Sequence, residues 1–311
     1  MTELGADLGG TVISASTRET RPFSLTLYLL IVFGLSWPFL IASALWAGGN
    51  LLPTYVLNIS SMIMVTVGTY IAGRYIFRDG FAGAGWSWGK PKYYLAVIGL
   101  ALLIWVVPTI FDGALGLSKL PVHLTQSQIA WVFVLLFVTL IPGFGEEFGW
   151  RGYMLPRLAQ RHGARQGVLL HGAIWWAWHL PVLVGGAAAY GSGPLWSGGP
   201  DASVPVTVVV LLAIGFIPTV LHAVVFAYIW SRTRSLTVAT VYHTAYDGIR
   251  DSLATTIGLG PIAGLWSGLL ILVLGAVLLW RSKWTGIRGN DDRIDLRVAA
   301  SEPPRPVRAS G

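Results

Sequence analysis

Long apolar runs recur along the whole chain, and they constrain its fold more than any other feature. About eight runs of roughly 20 mostly apolar residues are separated by polar connections, and this is the length at which a helix crosses a bilayer. The runs span residues 23–46, 55–77, 93–111, 129–147, 167–184, 204–230, 235–257 and 261–280. Only 11% of the 311 residues are charged, whereas soluble domains carry about 25%. The sequence therefore predicts an all-α fold, a polytopic transmembrane helical bundle with about eight transmembrane helices.

Basic residues occupy alternate connections between these runs. They precede the first run and follow the second, fourth, sixth and eighth, at Arg18, Arg21, Arg74, Arg78, Lys90, Lys92, Arg157, Arg161, Arg165, Arg232, Arg234, Arg281, Lys283 and Arg288. By contrast, the long connection at 185–203 contains only one charged residue, Asp201. Cytoplasmic connections of membrane proteins are enriched in Lys and Arg, so the N and C termini are both predicted to be cytoplasmic. We interpret the net charge of +7 as a signal of orientation, and we expect no nucleic-acid partner.

A few ionisable side chains fall inside the predicted spans. The acidic ones are Glu146, Glu147 and Asp247, and Asp251 is marginal. Such residues are rare in membrane helices, usually face the bundle interior and are candidates for a functional site. Glu147 and Arg151 are four residues apart, and so are His243 and Asp247. Because this spacing places two side chains on one helix face, each of these pairs is predicted to interact.

Three of these groups are predicted to reach similar depths in the membrane. Glu146, His179 and His243 lie roughly 16, roughly 21 and roughly 12 Å from the nearest basic connection, at 1.5 Å per helical residue. Pro142 and two glycines lie just before the glutamates. They predict a kink in this helix that gives room for water. We therefore expect these side chains to surround one wet cavity.

Three motifs carry a resemblance to a known family. In order along the chain they are "EEFGWRG" at 146–152, "WWAWHLP" at 175–181 and "HTAYD" at 243–247. They resemble the CPBP family of CAAX-processing and bacteriocin-processing intramembrane proteases, also called the Abi family. Its pattern is a glutamate pair with arginine, then an aromatic residue with histidine four later, then histidine with Asn or Asp four later. Two positions depart from the commonest form, because Trp175 stands where Phe is usual and Asp247 where Asn is common.

The apolar runs and the resemblance together predict a domain organisation, and the resemblance implies a peptidase activity. We expect a disordered cytoplasmic N-terminus at 1–22, N-terminal transmembrane helices at 23–128 and a CAAX-protease-like catalytic core at 129–257. A last transmembrane helix at 258–280 and a disordered cytoplasmic tail at 281–311 complete the chain. The family's catalytic set corresponds to Glu146, His179 and His243.

The chemistry of these groups suggests a role for each. Glu146 suits a general base, with His179 helping to position and deprotonate the water. His243, backed by Asp247, suits a donor to the tetrahedral oxyanion. Arg151 would neutralise Glu147, and Trp175 would support the site beside it.

Metal involvement is left open by the sequence. Two histidines and a carboxylate can hold zinc, so a zinc ion bound by Glu146, His179 and His243 is an alternative to a metal-free activated water. The chain has no HExxH motif, and the three groups come from separate helices. We favour the metal-free water, and we expect no other cofactor.

Other functions remain as alternatives. Buried Glu, His, Asp and Arg also serve proton-coupled transporters, and the fold could be a non-catalytic scaffold or immunity-type protein. As partners of an endopeptidase we expect the lipid bilayer and a peptide or protein substrate, with lipidated substrates included. A disulfide-linked partner is excluded because the chain has no cysteine. The expected location is the bacterial cytoplasmic membrane.

Overall fold

Helices make up all the regular structure that can be described in this protein. The computed structural model describes residues 20–46, 51–119, 123–189 and 204–287, and over these ranges every regular element is helical. The all-α prediction is therefore confirmed. Most of the predicted segments 1–22 and 281–311, and most of the connection 185–203, lie outside the described residues.

Eleven α-helices are distinguished in this part of the chain. They are α1 Leu25–Trp46, α2 Leu51–Ile71, α3 Pro91–Ala114, α4 Gln126–Val138, α5 Leu140–Glu147, α6 Leu155–His162, α7 Ala164–Trp178, α8 Leu180–Ala189, α9 Val204–Thr233, α10 Leu236–Thr256 and α11 Pro261–Arg281. Two π-helical segments, Ala72–Ile76 and Phe148–Met154, extend α2 and α5, and a short 3₁₀ helix covers Ala82–Ala84.

Five helical stretches of the described residues are long and apolar enough to cross a membrane. They are Leu25–Leu45, Leu52–Ile76, Pro91–Ala114, Gln126–His162 and Pro261–Arg281. The other three predicted spans are helical as well, in α7 with α8, in α9 and in α10. Several spans are thus supported by length and composition, whereas the number of crossings and the side of each terminus stay predictions.

The helix that carries the glutamate pair is interrupted on both sides of it. α4 ends at Val138 and α5 begins at Leu140. Pro142 explains this break, because it has no N–H for the carbonyl of Val138 and its ring crowds that carbonyl. Beyond Glu147 the chain continues as the π-helix Phe148–Met154. π-Helices are rare in proteins, but those that occur are often found at functional sites. The sequence predicts the first interruption but carries no sign of the second.

Glycines allow α5 to lie close to α2 and α10. A Cβ atom on Gly145 would lie 2.9 Å from the backbone oxygen of Met62 in α2. On the other side, a Cβ on Gly143 would lie 3.1 Å from the hydroxyl of Thr244 in α10. Small residues permit such close approach between membrane helices. The glutamate pair is thereby brought within reach of the side chains of α10.

A buried carboxylate joins α3 to α11. Asp112, in the last turn of α3, is fully buried and accepts hydrogen bonds from the backbone N–H groups of Ile262 (3.0 Å) and Ala263 (2.8 Å). These N–H groups lie in the first turn of α11, where no earlier carbonyl of the helix can accept from them. The negative charge also interacts favourably with the N-terminal end of the helix dipole. Asp112 therefore caps α11 from a neighbouring helix.

This contact gives a first prediction, on stability. Asp112→Ala is expected to lower the free energy of unfolding by about 1–2 kcal/mol, because two buried N–H groups lose their acceptor. Unfolding of the purified protein in detergent would measure it. Asp112→Asn keeps one acceptor oxygen and should lose less, whereas equal stability of the parent and the alanine variant would contradict the capping role.

Candidate active site

Glu146 is anchored by two indole rings. Its side chain is buried, and Oε2 accepts hydrogen bonds from Nε1 of Trp150 at 3.2 Å and Nε1 of Trp175 at 3.0 Å. Among the described residues, the second oxygen of this carboxylate has no hydrogen-bond partner. One oxygen is therefore fixed by the protein while the other is available to a ligand or a water. The sequence places Trp175 in the site but does not indicate that it binds Glu146.

Glu147 binds two cationic side chains with one oxygen. Its fully buried Oε1 lies 2.8 Å from Nη1 of Arg151 and 2.8 Å from Nδ1 of His243. The guanidinium carbon of Arg151 also lies 4.0 Å from the ring centre of Phe226 and 4.5 Å from that of Trp175. The contact between Glu147 and Arg151 agrees with their spacing. The contact between Glu147 and His243 joins α5 to α10 and could not be read from the spacing.

His243 lies between two carboxylates. Nδ1 faces Glu147, and Nε2 lies 3.1 Å from Oδ2 of Asp247. An ionised carboxylate only accepts hydrogen bonds, so with both carboxylates ionised each ring nitrogen carries a hydrogen. His243 is then an imidazolium with two oriented N–H groups. The predicted partnership of His243 and Asp247 corresponds to a direct contact.

His179 lies at the break between α7 and α8. Its Nδ1 donates to the backbone oxygen of Trp175 at 2.7 Å, and its ring packs edge-on against Trp175 and Trp178. Since Nδ1 carries the hydrogen of this bond, Nε2 of the neutral ring is an acceptor. The imidazole is thus oriented to accept a hydrogen from a bound water.

One cavity of about 420 Å³ brings the predicted catalytic residues together. Glu146, His179, His243 and Asp247 all line it, and Trp175 contributes to the same wall. Most of the remaining wall is apolar and includes Leu40, Ile59, Met62, Leu135, Val138 and Leu183. A mostly apolar cavity with a few convergent polar groups is the usual form of a ligand site.

The arrangement does not fit a zinc ion on Glu146, His179 and His243. In the parts of the chain that the structure describes, no group of three or more His, Asp or Glu side chains has the geometry to hold a metal ion. Both ring nitrogens of His243 are engaged by carboxylates, so binding a metal would require one of these contacts to break. The proposed mechanism accordingly uses only side chains of this protein.

Two further histidines differ in their relation to the cavity, because His222 lines it and His171 does not. His222 contacts the hydroxyl of Tyr242 through Nε2 at 3.1 Å, which joins α9 to α10. His171 is fully buried, and neither ring nitrogen has a partner within the described ranges. Neither residue contacts the carboxylate of Glu147.

Two charged residues of the cavity were not assigned to the site from the sequence. Arg250 and Asp251 line it, and Nη1 of Arg250 lies 2.8 Å from Oδ1 of Asp247. A signal was present, because Arg250 and Asp251 follow Asp247 by three and four residues, the spacing of a shared helix face.

The fold and the site define a class of protein: a helical membrane protein with an acid and imidazole cluster around an internal cavity. Residues 128–249 match the family model described as "Type II CAAX prenyl endopeptidase Rce1-like". The resemblance to this Rce1-like family, also called CPBP, that the three motifs carry is confirmed for this segment. The printed description of the family is that of an endopeptidase.

A curated relative supports this assignment over a short segment. The chain is 38% identical over 48 residues to CAAX prenyl protease 2 of Methanococcus maripaludis. The similarity covers 15% of this chain and 18% of that relative.

Proposed function

We propose that this protein is an intramembrane endopeptidase that hydrolyses a peptide bond of a membrane-associated substrate with a water activated by Glu146 and His179. The observation that carries the proposal is the single cavity lined by Glu146, His179, His243 and Asp247, which come from three separate parts of the helical bundle. The match to the family model supports the same reaction class.

The first step of the proposed reaction is attack by water. A water held between the free oxygen of Glu146 and Nε2 of His179 attacks the carbonyl carbon of the peptide bond. Glu146 takes a proton from the water as the C–O bond forms, which is the role of a general base. The product of this step is a tetrahedral intermediate with a negatively charged oxygen.

His243 serves the developing oxyanion in this mechanism. Its Nε2–H, oriented by Asp247, turns toward the oxyanion and donates a hydrogen bond, which stabilises the charge that forms in the transition state. Collapse of the intermediate breaks the C–N bond, and the leaving amine takes the proton that Glu146 received from the water. Glu147 accepts from Nδ1–H of His243 throughout, and Arg151 donates to the same oxygen of Glu147; neither residue takes a proton.

The substrate and the membrane are part of the proposal. The apolar share of the cavity wall suits a peptide with apolar side chains, and lipidated peptides are included. We place the protein in the bacterial cytoplasmic membrane with both termini in the cytoplasm, on the basis of its basic connections.

Cleavage in liposomes tests the proposed function. We expect the parent protein to cut members of a panel of membrane-associated peptides, detected by mass spectrometry. His243→Ala should lower turnover by about 10²–10³-fold, the effect of losing one donor to an oxyanion. His162→Ala, an exposed histidine at the end of α6, is the matched control and should cut like the parent. Equal cleavage by His243→Ala would show the chemistry to be wrong, and solute flux without cleavage, dependent on Glu146, would favour a carrier.

A further inference from the structure

Six charged side chains form one continuous series of contacts across the site. In order they are Arg151, Glu147, His243, Asp247, Arg250 and Asp251, and each neighbouring pair is separated by 2.7–3.1 Å. Cations and carboxylates alternate along the series, three of each with His243 as imidazolium, so their formal charges cancel. The series begins in the fully buried π-helix and ends at Arg250 and Asp251, whose side chains are 36% and 22% exposed.

Arg250 is the cation at the open end of this series. Nη1 contacts Oδ1 of Asp247 at 2.8 Å, and Nε contacts Oδ1 of Asp251 at 2.7 Å. The other oxygen of Asp247 faces His243. Asp247 is thus held from two sides, and the guanidinium fixes the oxygen that the imidazole does not use. Arg250 follows directly after the segment 128–249 that matches the family model.

We propose that Arg250 is a positioning residue that acts on His243 through Asp247, with Asp251 holding the guanidinium in place. This inference rests on the proposed function and assigns a role to two residues outside its catalytic set. Without Arg250, Asp247 and Asp251 would be two like charges one helical turn apart, an arrangement that is unfavourable on a helix. One of them would take up a proton or turn away, and Nε2 of His243 would lose its oriented acceptor.

A substitution at Asp247 distinguishes this role from others. The change Asp247→Asn keeps an oxygen for His243 but leaves no charge for Arg250 to balance. If Arg250 acts through Asp247, removal of Arg250 should therefore lower kcat only while residue 247 is an aspartate. If Arg250 instead binds the substrate, its removal should raise KM whatever stands at position 247.

The test is a double-mutant cycle on peptide cleavage in liposomes. Arg250→Gln is expected to lower kcat by about tenfold, within the range for residues of one ion-pair network, with KM nearly unchanged. In the Asp247→Asn background the same change should alter kcat by less than about twofold. Arg250→Lys should retain most of the activity because an ammonium can still pair with Asp247, and Arg232→Gln, exposed on α9, is the charge-matched control.

Three results would overturn the inference. Losses of kcat that add independently would mean that Arg250 does not act through Asp247, and a rise in KM alone would assign Arg250 to the substrate. Thermal unfolding of the parent, the two single variants and the double variant tests the pairing of Arg250 with Asp247 without an activity measurement. A shift caused by Arg250→Gln that is the same in the parent and in the Asp247→Asn background would also overturn it. Failure of the parent to cleave any peptide would count against the proposed function, whereas additive effects in an active protein would count against the role of Arg250 alone.

Discussion

Glu146→Gln is expected to lower the turnover of peptide cleavage by about 10²–10⁴-fold, the contribution of a positioned general base. Glutamine has the same shape, and its oxygen can still accept from the indoles that hold Glu146. It cannot take a proton from the attacking water. The substitution should therefore remove the chemistry and leave the wall of the cavity intact. Single-turnover cleavage in liposomes, followed by mass spectrometry, would measure the loss.

The control for this prediction is stability. Thermal unfolding of Glu146→Gln should resemble that of the parent, because both indole contacts, at 3.2 and 3.0 Å, keep an acceptor. Glu146→Asp provides a second comparison, since it keeps the carboxylate but draws it back from the cavity. Turnover of the glutamine variant at the rate of the parent would exclude Glu146 as the base.

Glu147→Ala is expected to lower the free energy of unfolding by about 3–5 kcal/mol, the cost of removing one partner from a buried ion pair. Arg151 is fully buried and its only ionic contact within the described structure is Glu147. After this change the guanidinium would keep its contacts with the rings of Phe226 and Trp175 but would have no carboxylate beside it. It would also release Nδ1 of His243, so cleavage should fall together with stability. Unfolding in detergent and peptide cleavage should be measured on the same preparations.

A double substitution separates loss of charge balance from loss of packing. In Glu147→Gln with Arg151→Met no buried charge is left without a partner, so this protein should be more stable than Glu147→Ala. It should still cleave poorly, because His243 has lost its ionic partner on α5. A Glu147→Ala protein as stable as the parent would show that the pair is not needed for folding.

Much of the fold follows from local sequence pattern. The apolar runs predict every long helix described, because a helix in lipid must bury its backbone groups and present apolar side chains. Contacts one turn apart, such as Glu147 with Arg151 and His243 with Asp247, follow from the helical period. The same rule would have identified Arg250. The resemblance to the family was recognisable because three motifs occur in the expected order.

Contacts between helices could not be predicted in this way. Glu147 and His243 are 96 residues apart, and no period of either helix indicates that they meet. The indole of Trp175 reaches Glu146 only because α7 packs beside the π-helix, a result of the tertiary packing. The number of membrane crossings stays a prediction, and α10, which carries charged groups of the site, is less apolar than the other spans.

The π-helix Phe148–Met154 has a consequence for how this segment tolerates change. A π-helical turn holds about one residue more than an α-helical turn. Deleting one residue here would return the segment to α-helical winding with nearly the same total rotation, so Glu146 and α6 would keep their relative orientation. A deletion within a purely α-helical stretch, by contrast, rotates the residues on its two sides by roughly 100° relative to each other. The carboxylates can therefore keep facing the imidazoles when this segment changes its length by one residue, provided that the deleted residue is not one of the site.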